Sequence, residues 1–148
     1  MGLDCYVVHG NDQRKCITEE DDQRLKGLNL CGGMLSGHGN DGSFRGKVYE
    51  PLMDELLTHS RLHPVFGCWH LEGDDVVTNE ELREQAEALD ELLVYKLQQA
   101  EDNDQVLYDD TIIYQTGNGW KYKYHEVCDL ATLLRVGAER GCVMEVSW

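Results

Sequence analysis

Four potential metal ligands lie close together near the middle of the chain. His59 and His63 are four residues apart and would share one face of a helix, and Cys68 and His70 are two apart and would share one face of an extended segment. Four nitrogen or sulfur donors can form a tetrahedral zinc site. The spacing matches no zinc-finger pattern, and in the alternative interpretation the histidines stabilise a helix end while Cys68 packs in the core. The sequence therefore predicts no cofactor, with zinc as the metal that these residues could hold.

A second candidate site is the glycine-rich stretch of residues 32–47, which the sequence predicts to be a loop. It carries Ser43, Arg45 and Lys47, which could bind a small anion, and Phe44, which could anchor the loop against a partner. The nucleotide-binding pattern fails, because valine follows the Gly-Lys pair where serine or threonine is required. The alternative is a surface connection whose glycines supply turns.

The third candidate is an acidic surface. The chain has a net charge of −15, and residues 72–110 hold fourteen acidic and two basic side chains. Part of this charge falls on one side of a predicted helix, where four glutamates recur at helical spacing: Glu80, Glu84, Glu87 and Glu91. Such a face could orient a basic protein surface, or it could serve only to keep the protein in solution.

The acidic helix is the best defined element in the sequence. Thr78 and Glu81 have the spacing of a capping box, in which each side chain satisfies a free backbone donor at the helix start. A stripe of apolar residues then predicts the side that faces the core: Leu82, Ala86, Leu89, Leu93, Leu97 and Ala100.

Other elements can be placed around this helix. Alternating apolar residues predict strands over residues 3–9 and 142–148, and helix signals in the first half resume only near Pro51. Residues 112–124 read as a hairpin with a three-residue loop, residues 117–119, which would pair Thr116 with Trp120, Tyr114 with Tyr122 and Ile112 with Tyr124. A second apolar stripe predicts a helix that follows the hairpin and has its C-cap at Gly141.

Together these elements predict one α+β domain over residues 1–148. It would contain a small mixed or antiparallel sheet, built from the N-terminal strand, the C-terminal strand and the hairpin near 112–124, with three to four helices packed on it. His125 and Glu126, just after the hairpin, could act as acid and base if a pocket formed there.

The composition of the chain excludes some classes of partner and location. No basic stripe is available to neutralise phosphates, so we expect no nucleic-acid partner, and no apolar run is long enough for a membrane span. Without a signal-peptide pattern or a Cys-x-x-Cys pair, we expect free thiols and a cytoplasmic location. The favoured function is a non-enzymatic adaptor or inhibitor that binds a basic protein surface through the glutamates. The alternative is a small-anion or metal-binding protein, which could be an enzyme, that uses residues 32–47 and the histidine and cysteine cluster.

Overall fold

The computed structural model describes residues 4–8, 25, 28–31, 43–57 and 76–147, and it confirms the α+β class. Within these ranges the strands and helices follow the chain as β1 (Asp4–Val8), β2 (Ser43–Arg45), α1 (Gly46–Leu57), β3 (Val76–Val77), α2 (Asn79–Asp102), β4 (Ile112–Gln115), β5 (Lys121–Lys123), α3 (Tyr124–Glu139) and β6 (Val143–Ser147). None of the described helices combines the length and apolar character needed to cross a bilayer.

The main sheet is antiparallel and has the strand order β2-β1-β6-β3. The strands predicted at the two ends of the sequence are its central pair, with Cys5 opposite Val146 and Val7 opposite Met144. Cys5, Met144 and Val77 are fully buried, and helices contact the sheet through β1 and β6. Pairing of the first and last strands therefore places the core between this sheet and the helices.

The hairpin forms a separate two-stranded sheet, β4-β5. The prediction that it would be part of the main sheet is therefore wrong. Its predicted loop is confirmed: the Thr116 amide donates to the Trp120 carbonyl at 2.8 Å, and Tyr114 pairs with Tyr122. Gly119 has a φ of +90°, as a glycine-closed three-residue loop requires.

The predicted pairing of Ile112 with Tyr124 is wrong, because a bulge in β4 shifts the register by one residue. Ile112 pairs instead with Lys123. A bulge adds one residue to a strand and can therefore turn an extra side chain inward. Ile113 is that side chain, and it is buried in the core.

Helix α1 begins at Gly46, five residues before the position expected from Pro51. A proline inside a helix removes one hydrogen bond and costs about 3 kcal/mol. Tyr49, Leu52 and Met53 are buried on the inner face of this helix, and each buried side chain of this size contributes about 1.5–3 kcal/mol. Burial therefore outweighs the proline penalty.

Helices α2 and α3 pack antiparallel, and their contacts join the start of one to the end of the other. The Asn79 side chain donates to the carbonyls of Ala138 at 3.0 Å and Cys142 at 2.9 Å. Arg83 donates to the same Ala138 carbonyl at 3.1 Å, which places a cation where the helix dipole favours one. The C-cap of α3 is Arg140, one residue before the predicted Gly141, and Gly141 follows it with a φ of +72°, the left-handed conformation that commonly ends a helix.

Replacing Asn79 with alanine removes two hydrogen bonds that close the C-terminus of α3. We expect Asn79→Ala to lower the free energy of unfolding by about 1–2 kcal/mol, measured by urea denaturation. Glu80→Ala, at the adjacent exposed position, is the matched control and should have little effect. Equal midpoints for the two variants would show that the Asn79 contacts contribute nothing.

Candidate protein-binding surface

The four predicted glutamates do share the outer side of α2. Glu80, Glu87 and Glu91 are exposed and Glu84 is half-buried, while Leu89 on the opposite side of the helix is fully buried. The helix starts as predicted, since the Thr78 hydroxyl accepts a hydrogen bond from the Glu81 amide at 3.2 Å and donates to its carboxylate at 3.1 Å. We call this row of four glutamates the acidic row.

The acidic row makes no ion pair with any residue in the described ranges. The basic residue nearest to it in sequence, Arg83, is bonded to Asn79 and to the end of α3. Arg135 of α3 pairs instead with Asp90, which lies outside the row. The negative charge of the row therefore faces solvent.

Apolar side chains continue the outer side of α2 beyond the acidic row. At 3.6 residues per turn, Val94 and Tyr95 follow Glu91 by one turn and lie on the same side of the helix. Val94 is 67% exposed and Tyr95 is 60% exposed. Leu97, predicted to face the core, is 45% exposed, so the predicted stripe is wrong at that residue, whereas Ala100 at its end is buried as predicted.

The exposed residues Val94 and Tyr95 were missed by sequence reasoning, although a signal was present. Extending the glutamate spacing by three and four residues from Glu91 leads directly to them. The prediction followed only the inward stripe, which fitted the pattern of a buried helix face. How far the core reaches along the helix is a property of the fold and cannot be read from one helix.

A shallow depression lies beside Tyr95 at the end of α2. It is lined by Tyr95, Gln98, Gln99, Asp102 and Asn103 and has a volume of about 180 Å³. Pockets that hold small molecules usually enclose about 300–1,000 Å³. The depression is therefore too small for a typical metabolite and better suited to one side chain of a partner.

The structure corrects the loop assigned to the second candidate site. Residues 43–45 form strand β2, and Lys47 is in the first turn of α1. Phe44 is buried, with its ring 6.0 Å from the Tyr49 ring, and cannot anchor a partner. The physical reason is that Phe44 pairs with the inner strand β1, directly opposite the buried Cys5. Arg45 and Lys47 remain exposed, and residues 32–42 lie outside the described ranges.

The proposed zinc ligands, His59, His63, Cys68 and His70, also lie outside the described residues, so this site remains a prediction. In the part of the chain that is described, no group of three or more histidine, cysteine, aspartate or glutamate side chains is placed to hold a metal ion.

The two proposed acid–base residues have structural contacts. The Glu126 carboxylate accepts a hydrogen bond from the Lys123 amide at 3.2 Å, which caps the start of α3. The His125 Nδ1 atom lies 3.4 Å from Asp129, whose carboxylate also accepts from the Asn29 amide at 3.0 Å. These contacts order the first turns of α3 and tie residues 28–31 to it.

Cys128, three residues after this histidine in the same helix, is a poor nucleophile. Burial raises the pKa of the Cys128 thiol, which disfavours the reactive thiolate form. Cys31 and Cys128 are free thiols, as the sequence predicted, but Cys142 is disulfide-bonded, so the prediction of free thiols is wrong there.

Comparison with known proteins gives no further guide to function. No protein-family model matches the chain, and no curated protein or solved structure is significantly similar to it.

Proposed function

We propose that the protein is a non-enzymatic adaptor or inhibitor that binds a basic protein surface through the outer side of α2. The observation that carries the proposal is the acidic row, Glu80, Glu84, Glu87 and Glu91, which faces solvent without a basic partner in the described part of the chain. A field of one sign on a rigid helix accelerates encounter with an oppositely charged protein and fixes its orientation.

The expected partner class and location belong to the same proposal. We expect no nucleic-acid partner, because the acidic row would repel phosphates. We also keep the cytoplasm as the proposed location, although the disulfide at Cys142 weighs against it, since such bonds persist mainly in oxidising compartments. The anion-binding or metal-binding alternative has no support from the described residues, because Phe44 is part of the core and the zinc cluster lies outside them.

The test uses a helical peptide of lysine and alanine as a basic probe without apolar anchors. Replacing Glu84, Glu87 and Glu91 with lysine should weaken binding of this peptide by about ten-fold or more, measured by calorimetry at low salt, because attraction becomes repulsion. Circular dichroism should show that the variant remains folded.

A second triple variant separates the acidic row from net charge. Replacing Glu101, Asp109 and Asp110 with lysine alters the total charge by the same amount at exposed positions outside the row. This control should lose much less affinity than the row variant. Equal losses would mean that the peptide senses only overall charge, and the proposed function would have to be abandoned.

A further inference from the structure

The outer side of α2 has two chemically different halves. The acidic row occupies the first half, and Val94 and Tyr95, with the depression beside Tyr95, occupy the second. From Glu80 to Gln98 the helix rises about 27 Å. Exposed apolar side chains that adjoin a single-sign charged surface are typical of a protein-binding site.

We propose that the partner segment is an amphipathic helix that lies along α2, with lysine or arginine against the acidic row and an apolar side chain over Val94 and Tyr95. This inference rests on the proposed function and adds the form of the partner. A helix can lie along the exposed side of α2, and its apolar residues would contact Tyr95 while one side chain enters the depression. About 18 residues of partner helix would span the whole surface.

Charge complementarity selects this occupant over a second copy of the same chain. Two copies would each bring a net charge of −15, and pairing through α2 would bring together two surfaces on which glutamates outnumber basic residues. Lys96, the basic residue in the second half of the helix, is half-buried, and its Nζ atom lies 5.7 Å from the centre of the Tyr95 ring. A basic helix meets no such repulsion.

The test compares two synthetic helical peptides with the same lysines. One is the lysine and alanine peptide, and in the other leucines replace the alanines that would lie over Val94 and Tyr95. We expect the leucine peptide to bind about ten-fold more tightly by calorimetry, because apolar anchors contribute most of the affinity in such interfaces. Replacing Val94 and Tyr95 with serine should remove this gain and leave binding of the alanine peptide unchanged.

The outcomes of the two proposals can be told apart. If both peptides bind equally but the lysine variant of the acidic row still loses affinity, the helical apolar contact is wrong and the proposed function stands. If the lysine variant of the acidic row binds both peptides as tightly as the original protein does, both proposals fail. Native mass spectrometry could instead show a dimer that is lost in the serine variant. That result would identify a second copy as the occupant and overturn the inference.

Val106→Ser, at an exposed apolar site beyond α2, is the matched control and should change the binding of neither peptide.

Discussion

Between pH 10 and about 12 the protein is expected to lose stability steeply, because buried tyrosines resist ionisation in the folded state. Burial raises the pKa of Tyr49 from 10.0 to about 12, partly offset by the hydrogen bond that its hydroxyl accepts from the Cys31 amide, with smaller increases from the charges of Glu126 and Asp129. Burial also raises the pKa of Tyr114 to about 12, helped by the hydrogen bond and the charge of Glu55.

A third tyrosine adds to the loss of stability at alkaline pH. Burial raises the pKa of Tyr122 further still, and its hydroxyl donates to the Val48 carbonyl at 2.7 Å. The rings of Tyr49 and Tyr122 lie 6.1 Å apart in the core between α1 and β5. Ionising either hydroxyl would place a charge beside apolar side chains, so unfolding becomes the easier route to deprotonation.

The sign of the pH dependence follows from the raised pKa values. The unfolded chain releases tyrosine protons near pH 10, whereas the folded chain holds these protons until about pH 12. The stability that these tyrosines supply is complete below pH 10 and is lost as the pH rises through the folded values.

Ultraviolet absorbance of tyrosinate and circular dichroism, followed together during an alkaline titration, should test this expectation. In denaturant all seven tyrosines should ionise together near pH 10. In the native protein the buried tyrosines should ionise only above pH 10, and they should do so as the helical signal is lost. Complete ionisation near pH 10 with the helices intact would contradict the burial of Tyr49 and Tyr122.

The elements predicted from sequence are those fixed by local chemistry. The capping threonine of α2 and the positive-φ glycine after α3 each act within a few residues, so their patterns were sufficient. The hairpin loop was correct for the same reason, because loop length and glycine position set the pairing nearest the turn. The bulge at Ile113 lies farther from the loop and depends on packing against the core.

The features missed from sequence depend on contacts between distant residues. Asn79 reaches Ala138 across 59 positions, and nothing near Asn79 in the chain indicates that partner. The early start of α1 depends on burying Tyr49 against Tyr122, which belongs to the hairpin. The exposure of Leu97, in a helix whose Ala100 is buried, likewise depends on which distant residues cover each side of α2. The acidic row could be predicted because it needs only helical periodicity, but its apolar extension required knowledge of what remains uncovered.

Glu55 of α1 joins that helix to the hairpin, and its loss should be the most damaging single change outside the apolar core. One carboxylate oxygen accepts a hydrogen bond from the Tyr114 hydroxyl at 2.8 Å, and the other accepts from the Gly117 amide at 2.7 Å. Hydrogen bonds to a charged group contribute about 1.5–3 kcal/mol each when sheltered from water. Gly117 is exposed, and water can replace part of its bond.

We therefore expect Glu55→Ala to lower the free energy of unfolding by about 2–3 kcal/mol, measured by urea denaturation. Lys47→Ala, at an exposed position on the same helix, is the control and should change stability by less than about 0.5 kcal/mol. Tyr114→Phe should cost about 1 kcal/mol alone and much less in the Glu55→Ala background, because the shared hydrogen bond is already lost.

Glu55→Ala should also change the alkaline titration. Removing the carboxylate takes away both the hydrogen bond and the negative charge that hold the Tyr114 proton, so the pKa of Tyr114 should fall toward its ordinary value. The fall should be partial, because burial, the largest cause of the increase, still keeps the pKa of Tyr114 above 10.0. Additive effects of Glu55→Ala and Tyr114→Phe, with no change in the titration, would show that the two residues do not interact, and another contact would have to hold the hairpin against α1.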